Sequence, residues 1–537
     1  MNRRNSDSSR SSTIRIPGRI LHRGSARRPD GATAATLLPA AVWLPIALLA
    51  FAARLLPTLR GGGLAGIDDY DEGVYFGGAQ ALTAGRFPYR DFVLLHPPGI
   101  ILLLVPFAAL ARVLSDHRAF ELARLAFMAL GSLNAVLTAA VARRARLGGL
   151  GAAVVAGALY AVWPPAIDAE SSTLLTPLNT LGLLVALLLL YRRTSRSSEE
   201  FLAGAALGAA AAVKIWGVVP LVVILGWQLV QRQRRPAARV ALGAAAAVTA
   251  VCLPFFLAAP GRMFRMVVLD QLERGEANEG VRRRLSGILG VARFGSGARP
   301  PVWLLLAAVV LLCALVVAGV LIDRAWLVTA LLAAVVAMLL LAPSFFAHYA
   351  AYAAAPLLIL TGTGSAGLAV LAGGSTRRTA EAFDRRAVAV VALAVAVVPI
   401  MVFAAVVAGL HRGTRFPGAA LGQAAASSRC VTADSPGALI EMDLLSRDLA
   451  RGCRVWVDVT GLTYDLPSAR RPDGAQVPRR LNRPWQQALI GYLLSGNATV
   501  LVRSASDGFS PSDARTIDRL PVLARDSGET LRRVMPR

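Results

Sequence analysis

Lysine is nearly absent from this sequence: of its 57 lysines and arginines only Lys214 is a lysine, which leaves 56 arginines. Charge of any kind is scarce. Charged residues fill 17% of the 537 positions, against about 25% in a soluble globular chain. The net charge of +25 invites a nucleic-acid reading. The arginines, however, stand in short clusters between apolar segments, which is how membrane-topology signals are arranged, and nucleic acid is excluded as a partner. There are four cysteines, and none forms a CxxC or a Cys/His metal spacing. Cys252 and Cys313 fall in apolar segments and read as inert core residues. No Gly-rich phosphate loop is present. Residues 61–63 are glycines without the Lys-Ser/Thr ending of a P-loop and read as a flexible junction.

Apolar residues dominate instead. They make up 55% of the chain, and the mean hydropathy is +0.55. Runs of 17 or more apolar residues recur, so the bilayer is the expected solvent. Residues 1–35 are Ser- and Arg-rich without a packing pattern and read as a disordered basic cytoplasmic tail. No small-residue cleavage site marks a signal peptide. The first span, 36–58, then exits outward by the positive-inside rule. Further spans are expected at 119–142, 147–165, 173–191, 200–213, 215–231, 238–259, 302–322, 325–342, 349–371 and 387–410, about eleven in all.

The apolar run 98–114 decides the orientation of everything after it. It is about 17 residues long and opens on Pro97-Pro98. Four arginine clusters (Arg143/Arg144/Arg146, Arg192/Arg193/Arg196, Arg232/Arg234/Arg235/Arg239 and Arg377/Arg378/Arg385/Arg386) share the cytoplasmic side only if this run does not cross. It is therefore placed as an interfacial or re-entrant helix on the outer face. The expected class is mainly α: a polytopic helical bundle over 36–410, with an outer loop at 59–118. A small extracytoplasmic α/β domain follows at 411–537, where CVTAD, CRVWVDV and ATVLV read as strands. Cys430 and Cys453 head two of these strands. In an oxidising compartment a disulfide or two free thiols both fit.

This topology gathers Asp68, Asp69, Asp71, Glu72, Asp91, His96, Asp168, Glu170, Lys214, His348 and Tyr349 at or near the outer face. Ionisable groups at membrane depth are costly and mark function. Four carboxylates in five positions, within IDDYDEGVY, repel one another and suit a general base or a cation site. Lys214, in AAAVKIWGVV, either snorkels or contacts a phosphate or one of these carboxylates. His348 and Tyr349 can both donate to a phosphate, although Tyr349 also fits an aromatic belt. Glu170 is a donor-site candidate or a helix cap. Arg282, Arg283 and Arg284 meet lipid phosphate or form a solvated loop. Carboxylates with histidine can also hold a divalent cation, which keeps a metal-dependent hydrolase among the rivals.

An acidic pair after the first span, then a proline motif opening an interfacial helix, then many spans: this pattern resembles the GT-C glycosyltransferases, nearest the protein mannosyltransferase and aminoarabinose transferase branch. The pair is Asp71-Glu72, the second motif is His96-Pro97-Pro98-Gly99, and the likeness covers roughly 36–410. It implies a polyprenyl-phosphate sugar donor, a glycan, lipid or protein acceptor, and a multi-pass plasma-membrane enzyme with its N-terminus cytoplasmic and its C-terminus outside. It gives Asp71 the role of general base, with Glu72 beside it. Asp69, Asp91, His96, Glu170, Lys214, His348 and Tyr349 are then candidates for binding donor and substrate. Aminoarabinose-branch relatives carry Lys before the proline motif. Here it is His96, so Lys214 and His348 become the phosphate candidates. The rival function is a transporter or flippase for a lipid-linked glycan, but such proteins often show repeated halves and no repeat is seen here.

Overall fold

The structure is a computed structural model. It describes residues 31–145, 149–191, 196–274, 279–292, 300–323, 325–373, 410–466, 477–503 and 508–535. The expected span at 387–410 lies outside them, Leu410 apart. The chain divides into two units, Met1–Val42 and Trp43–Arg537. In the first, the described residues are the helical 31–42.

The larger unit is mainly helical. Its leading helices are α1 (Gly31–Arg60, shared with the first unit), α2 (Tyr70–Thr83), α3 (Gly99–Leu110), α4 (Asp116–Arg144), α5 (Leu150–Val162), α6 (Pro164–Glu170), α7 (Thr176–Leu190) and α8 (Ser197–Val213). After a 3-10 turn at Ile215–Gly217 come α9 (Val218–Val230), α10 (Arg234–Ala258), α11 (Pro260–Phe264), a π segment at Arg265–Leu269, α12 (Asp270–Glu273) and α13 (Val281–Ile288). Then follow α14 (Val302–Ala318), α15 (Trp326–Leu341), a 3-10 segment at Ala347–Ala353 and α16 (Ala354–Gly373).

Among the described residues five helices are long and apolar enough to cross a membrane, or six if the bent pair α5–α6 is one span. Shorter apolar helices lie at Gly99–Leu110, Thr176–Leu190, Ile215–Val230 and Trp326–Leu341. Large apolar side chains stand exposed along α10 (Leu242, Leu253, Leu257) and α14 (Leu306, Val310, Leu311), a surface suited to lipid rather than water. Cys313 is exposed on that α14 surface and is not a core residue. At twelve residues, α3 is about 18 Å long, well short of a hydrocarbon core about 30 Å thick. It buries Ile100, Ile101 and Leu104 and leaves Leu102, Leu103 and Leu110 exposed.

A four-stranded sheet follows in the order β1-β2-β4-β3: β1 (Val431–Ala433), β2 (Ala498–Val500), β3 (Val522–Asp526) and β4 (Glu529–Arg533). β1 and β2 are parallel, while β4 pairs antiparallel with both β2 and β3. The stretch 453–459, expected as a strand, is not one. Cys453, Val455, Val457 and Val459 are buried in alternation, so its extended pattern was real, but no neighbouring strand supplies ladder hydrogen bonds. A disulfide joins Cys430 and Cys453, with Cα atoms 5.7 Å apart.

The sheet region does not stand apart. One apolar core runs from Val74, Phe76 and Ile101 to Leu439, Val455 and Leu531. The contact is close at Gly73, where an added Cβ would lie 2.7 Å from the backbone nitrogen of Gly437. Helix α2 is thereby pressed against the helix Pro436–Glu441.

Candidate functional site

The four carboxylates at the head of α2 are arranged so that three are engaged and one is not. Asp68 accepts from Arg412 (Nε 2.9 Å, Nη2 2.5 Å) and from Ser172 Oγ (2.9 Å). The same Arg412 reaches Asp168 at 2.6 Å. Asp69 is the N-cap of α2 and accepts from the backbone N–H of Asp71 at 2.9 Å, satisfying one of the helix's orphan donors. Its other oxygen lies 3.5 Å from His348 Nδ1. Glu72 is buried and takes two hydrogen bonds from Arg124, at 3.0 and 2.5 Å. Asp71 is half-buried, and its carboxylate makes no hydrogen bond or ion pair among the described residues. Its charge acts on Lys214, His348, Tyr75 and Asp458.

Facing these carboxylates is a cationic and aromatic wall. Lys214 is buried between α8 and the 3-10 turn, with Nζ 4.0 Å from the Trp216 ring centroid and 3.8 Å from that of Tyr349. These cation–π contacts hold the ammonium and leave it without a carboxylate partner among the described residues. His348 stacks on Phe346 and meets Tyr349 edge-on. Gly99 of the HPPG motif brings α3 against the last turn of α8, since a Cβ there would lie 2.6 Å from the carbonyl oxygen of Ala212. His96 is thereby set close to Lys214. It is buried, and its Nδ1 has no partner. Burial holds its imidazole well below the usual range, and the charges of Lys214, Arg274 and His348 press it further down, so it stands neutral.

The third wall comes from sequence-distant segments. The Tyr70 hydroxyl donates to Asp458 (3.1 Å) and accepts from the Thr460 backbone N–H (2.9 Å). Arg503 lies over the Tyr70 ring at 3.7 Å and donates to Thr460 Oγ1 at 2.8 Å. Burial pushes the Asp458 carboxyl up to about 6. The Gly461 N–H opposes this and the charge of Asp71 adds to it. Burial and the charge of Asp71 likewise raise the Asp69 carboxyl well above its ordinary range.

The geometry therefore gathers Asp69, Asp71, His96, Lys214, His348 and Tyr349 from the expected set. Others are placed differently. Glu170 is buried and saturated: it accepts from Arg54, from Asn134 Nδ2 at 2.8 Å and from Tyr160 OH at 2.8 Å. Its charge was legible, but the buried Arg54 of α1 claims it, and it is a structural anchor instead of a ligand contact. Glu72 is withdrawn in the same way by Arg124. Asp91 pairs with its neighbour Arg90 at 2.8 Å and caps the Phe87 N–H at 2.7 Å, closing a turn. Arg284 donates to the carbonyls of Leu339, Leu340 and Ala342, Arg282 to that of Pro300, and Arg283 pairs with Glu279. Arg284 is thus a buried brace, while Arg282 and Arg283 stand exposed on α13.

Arg274, Arg412, Asp458 and Arg503 escaped the sequence reading because each arrives from a loop remote in sequence. Tyr70 did carry a signal, its place inside DDYDE. Among the described residues no group of three or more His, Cys, Asp or Glu could hold a metal ion.

Comparison with known proteins bears on this arrangement. Residues 94–343 match the model of Glycosyltransferase family 87. No curated protein matches the sequence. Among solved structures, ArnT from Cupriavidus metallidurans bound to undecaprenyl phosphate is 17% identical with a TM-score of 0.59, covering 94% of this chain and 99% of that one. Its apo form gives 16% and 0.51 over the same extents. The Archaeoglobus fulgidus oligosaccharyltransferase complex with Zn and sulfate is 13% identical with a TM-score of 0.51, covering 86% of this chain and 67% of that one. At such identities the likeness is one of fold. The family match over residues 94–343 and the acidic pair and proline motif set in this site point the same way: the chain is similar to membrane glycosyltransferases in sequence over that stretch and in fold over most of its length.

Proposed function

We propose that the protein transfers a sugar from a polyprenyl-phosphate donor to an acceptor hydroxyl on the extracytoplasmic face of the plasma membrane, in the building of a cell-envelope glycan, glycolipid or glycoprotein. The observation that carries this reading is Asp71: of the four clustered carboxylates it alone lacks a hydrogen bond or ion pair among the described residues, and a cationic wall faces it. The neighbour bound to undecaprenyl phosphate supports a lipid-borne donor, and its end-to-end likeness supports the aminoarabinose transferase side of the superfamily.

The chemistry follows from the charges. The acceptor oxygen attacks the anomeric carbon while its proton passes to the Asp71 carboxylate. The bond from the anomeric carbon to the phosphate oxygen breaks, and the polyprenyl phosphate leaves with the electron pair. Lys214, with the charge of Arg274 beside it, stabilises that developing anion in a site shielded from water. One displacement inverts the anomeric centre. Neutral His96 donates or accepts one hydrogen bond to substrate through its unpartnered ring nitrogen.

The Cys430–Cys453 disulfide supports an outer, oxidising location for the C-terminal region. The shortness of α3 supports eleven spans with the N-terminus inside, since the arginine clusters then share one side. The flippase reading has no comparable support, because the matched family is one of transferases. Deletion of the gene is expected to remove one glycosyl residue from envelope glycans, glycolipids or glycoproteins, read by mass spectrometry. An unchanged profile in all three contradicts the proposal.

A further inference from the structure

A cavity of about 220 Å³ opens between α6, α13 and the segment before α16. It is lined by Pro164, Pro165, Asp168, Glu279, Arg283, Ser286, Gly287 and Phe345 among others. None of these walls takes part in the chemistry above, yet two of them run into it. Asp168 shares Arg412 with Asp68, three residues before Asp71. Ala347, also a wall, precedes His348, whose ring lies 3.5 Å from Asp69.

The chemistry of the cavity is divided. One side is apolar and rigid: two consecutive prolines and the buried ring of Phe345. The other carries carboxylates already engaged by arginine, Asp168 by the Arg412 it shares with Asp68, at 2.6 Å, and Glu279 by Arg283 at 2.8 Å. Such carboxylates retain lone pairs that accept from hydroxyls, while the surplus of negative charge beside Arg412 turns a phosphate away. Sites for drug-sized ligands run to about 300–1,000 Å³, so this one is small. The geometry points to a seat for a single sugar ring, its C–H face on Pro164, Pro165 and Phe345 and its hydroxyls on Asp168, Glu279 and Ser286. This inference rests on the transferase reading and deepens it. The ring belongs either to the donor or to a carbohydrate acceptor.

The test uses the full chain in detergent and needs no turnover, so it fails separately from the transferase reading. Saturation-transfer NMR is run with methyl α-D-mannopyranoside, glucopyranoside, galactopyranoside and arabinofuranoside at millimolar concentration. At least one glycoside is expected to saturate. Gly287→Leu, whose side chain enters the cavity, and Glu279→Gln are each expected to weaken that binding at least tenfold while undecaprenyl phosphate binding is kept. Unfolding temperatures of both variants establish that they are folded, and one folded variant suffices. Displacement of the glycoside by undecaprenyl phosphate bearing the same sugar, but not by undecaprenyl phosphate itself, assigns the ring to the donor. Persistence of binding against both lipids assigns it to the acceptor. The inference is overturned if no glycoside saturates the wild type, if a folded variant binds as well as the wild type, or if bare undecaprenyl phosphate displaces the probe.

Discussion

Asp71 and Glu72 are adjacent on the first turn of α2, yet only Glu72 is committed: Arg124 holds it through two hydrogen bonds, at 3.0 and 2.5 Å. A helix rotates consecutive side chains by about 100°, so one carboxylate turns into the bundle and the other into the site. Removing one partner of a buried ion pair strands the other and costs about 3–5 kcal/mol. Glu441, 3.3 Å from the same arginine, offsets part of that. Glu72→Ala is therefore expected to lose about 3 kcal/mol of stability, and any activity it loses should follow the loss of folded protein. Thermal unfolding of the purified variant in detergent measures this. An unchanged unfolding temperature contradicts the assignment of Glu72 to structure.

Lys214 gives a binding prediction. A charge-assisted hydrogen bond contributes about 1.5–3 kcal/mol, so Lys214→Met, which keeps an aliphatic stem against Trp216 and Tyr349, should weaken undecaprenyl phosphate binding about 10- to 100-fold. Titration of the lipid phosphate against wild type and variant decides it. Equal affinities would remove Lys214 from the phosphate site.

The disulfide makes a stability prediction. It closes a loop with a sequence separation of 23, and a loop of that size is worth about 3 kcal/mol. Because the sheet shares its core with α2, Cys430→Ser should lower the unfolding temperature of the whole larger unit and not merely loosen the C-terminal region. Hydrogen exchange separates the two outcomes: faster exchange confined to residues 430–453 would contradict the shared core.

Asp458 predicts a pH dependence of unusual sign. Its carboxyl is pushed up to about 6 in the folded chain, against about 4 when unfolded. The folded state thus binds the extra proton between those values, and stability falls as pH rises from about 4 to about 6, then levels off. Asp458→Asn keeps an acceptor for Tyr70 and Gly461 but removes the charge. Relative to wild type, its unfolding temperature should be higher at pH 7 than the same comparison gives at pH 4. A difference independent of pH would contradict the raised carboxyl of Asp458.

Much of the bundle was legible because bilayer thickness writes itself into run length. The ends of α4, α10 and α15 fall within a few residues of the expected spans. In the run 98–114 a helix opening at the proline pair was legible, and α3 stands there with twelve residues. The hairpin β3–β4 was missed: Val522–Asp526 and Glu529–Arg533 carry arginines and acids in place of an apolar alternation. In the site, the sequence showed which residues bear charge but not which are already spent. Nothing local distinguishes Glu170 or Glu72 from Asp71. The difference is made by Arg54 and Arg124, which lie 116 and 52 residues away in sequence. Arg274 and Arg412 were invisible for the same reason.

The central claim is that Asp71 takes the acceptor's proton. A general base contributes about 10²–10⁴-fold, and Asp71→Asn removes it while leaving the Asp69 cap and the Glu72–Arg124 pair intact. The most direct measurement is complementation of a deletion strain with wild type or Asp71→Asn at equal membrane levels, followed by mass spectrometry of the envelope glycans, glycolipids and glycoproteins. The account predicts that the wild type restores the missing glycosyl residue and that Asp71→Asn does not, at an unchanged unfolding temperature. Full restoration by Asp71→Asn would contradict it.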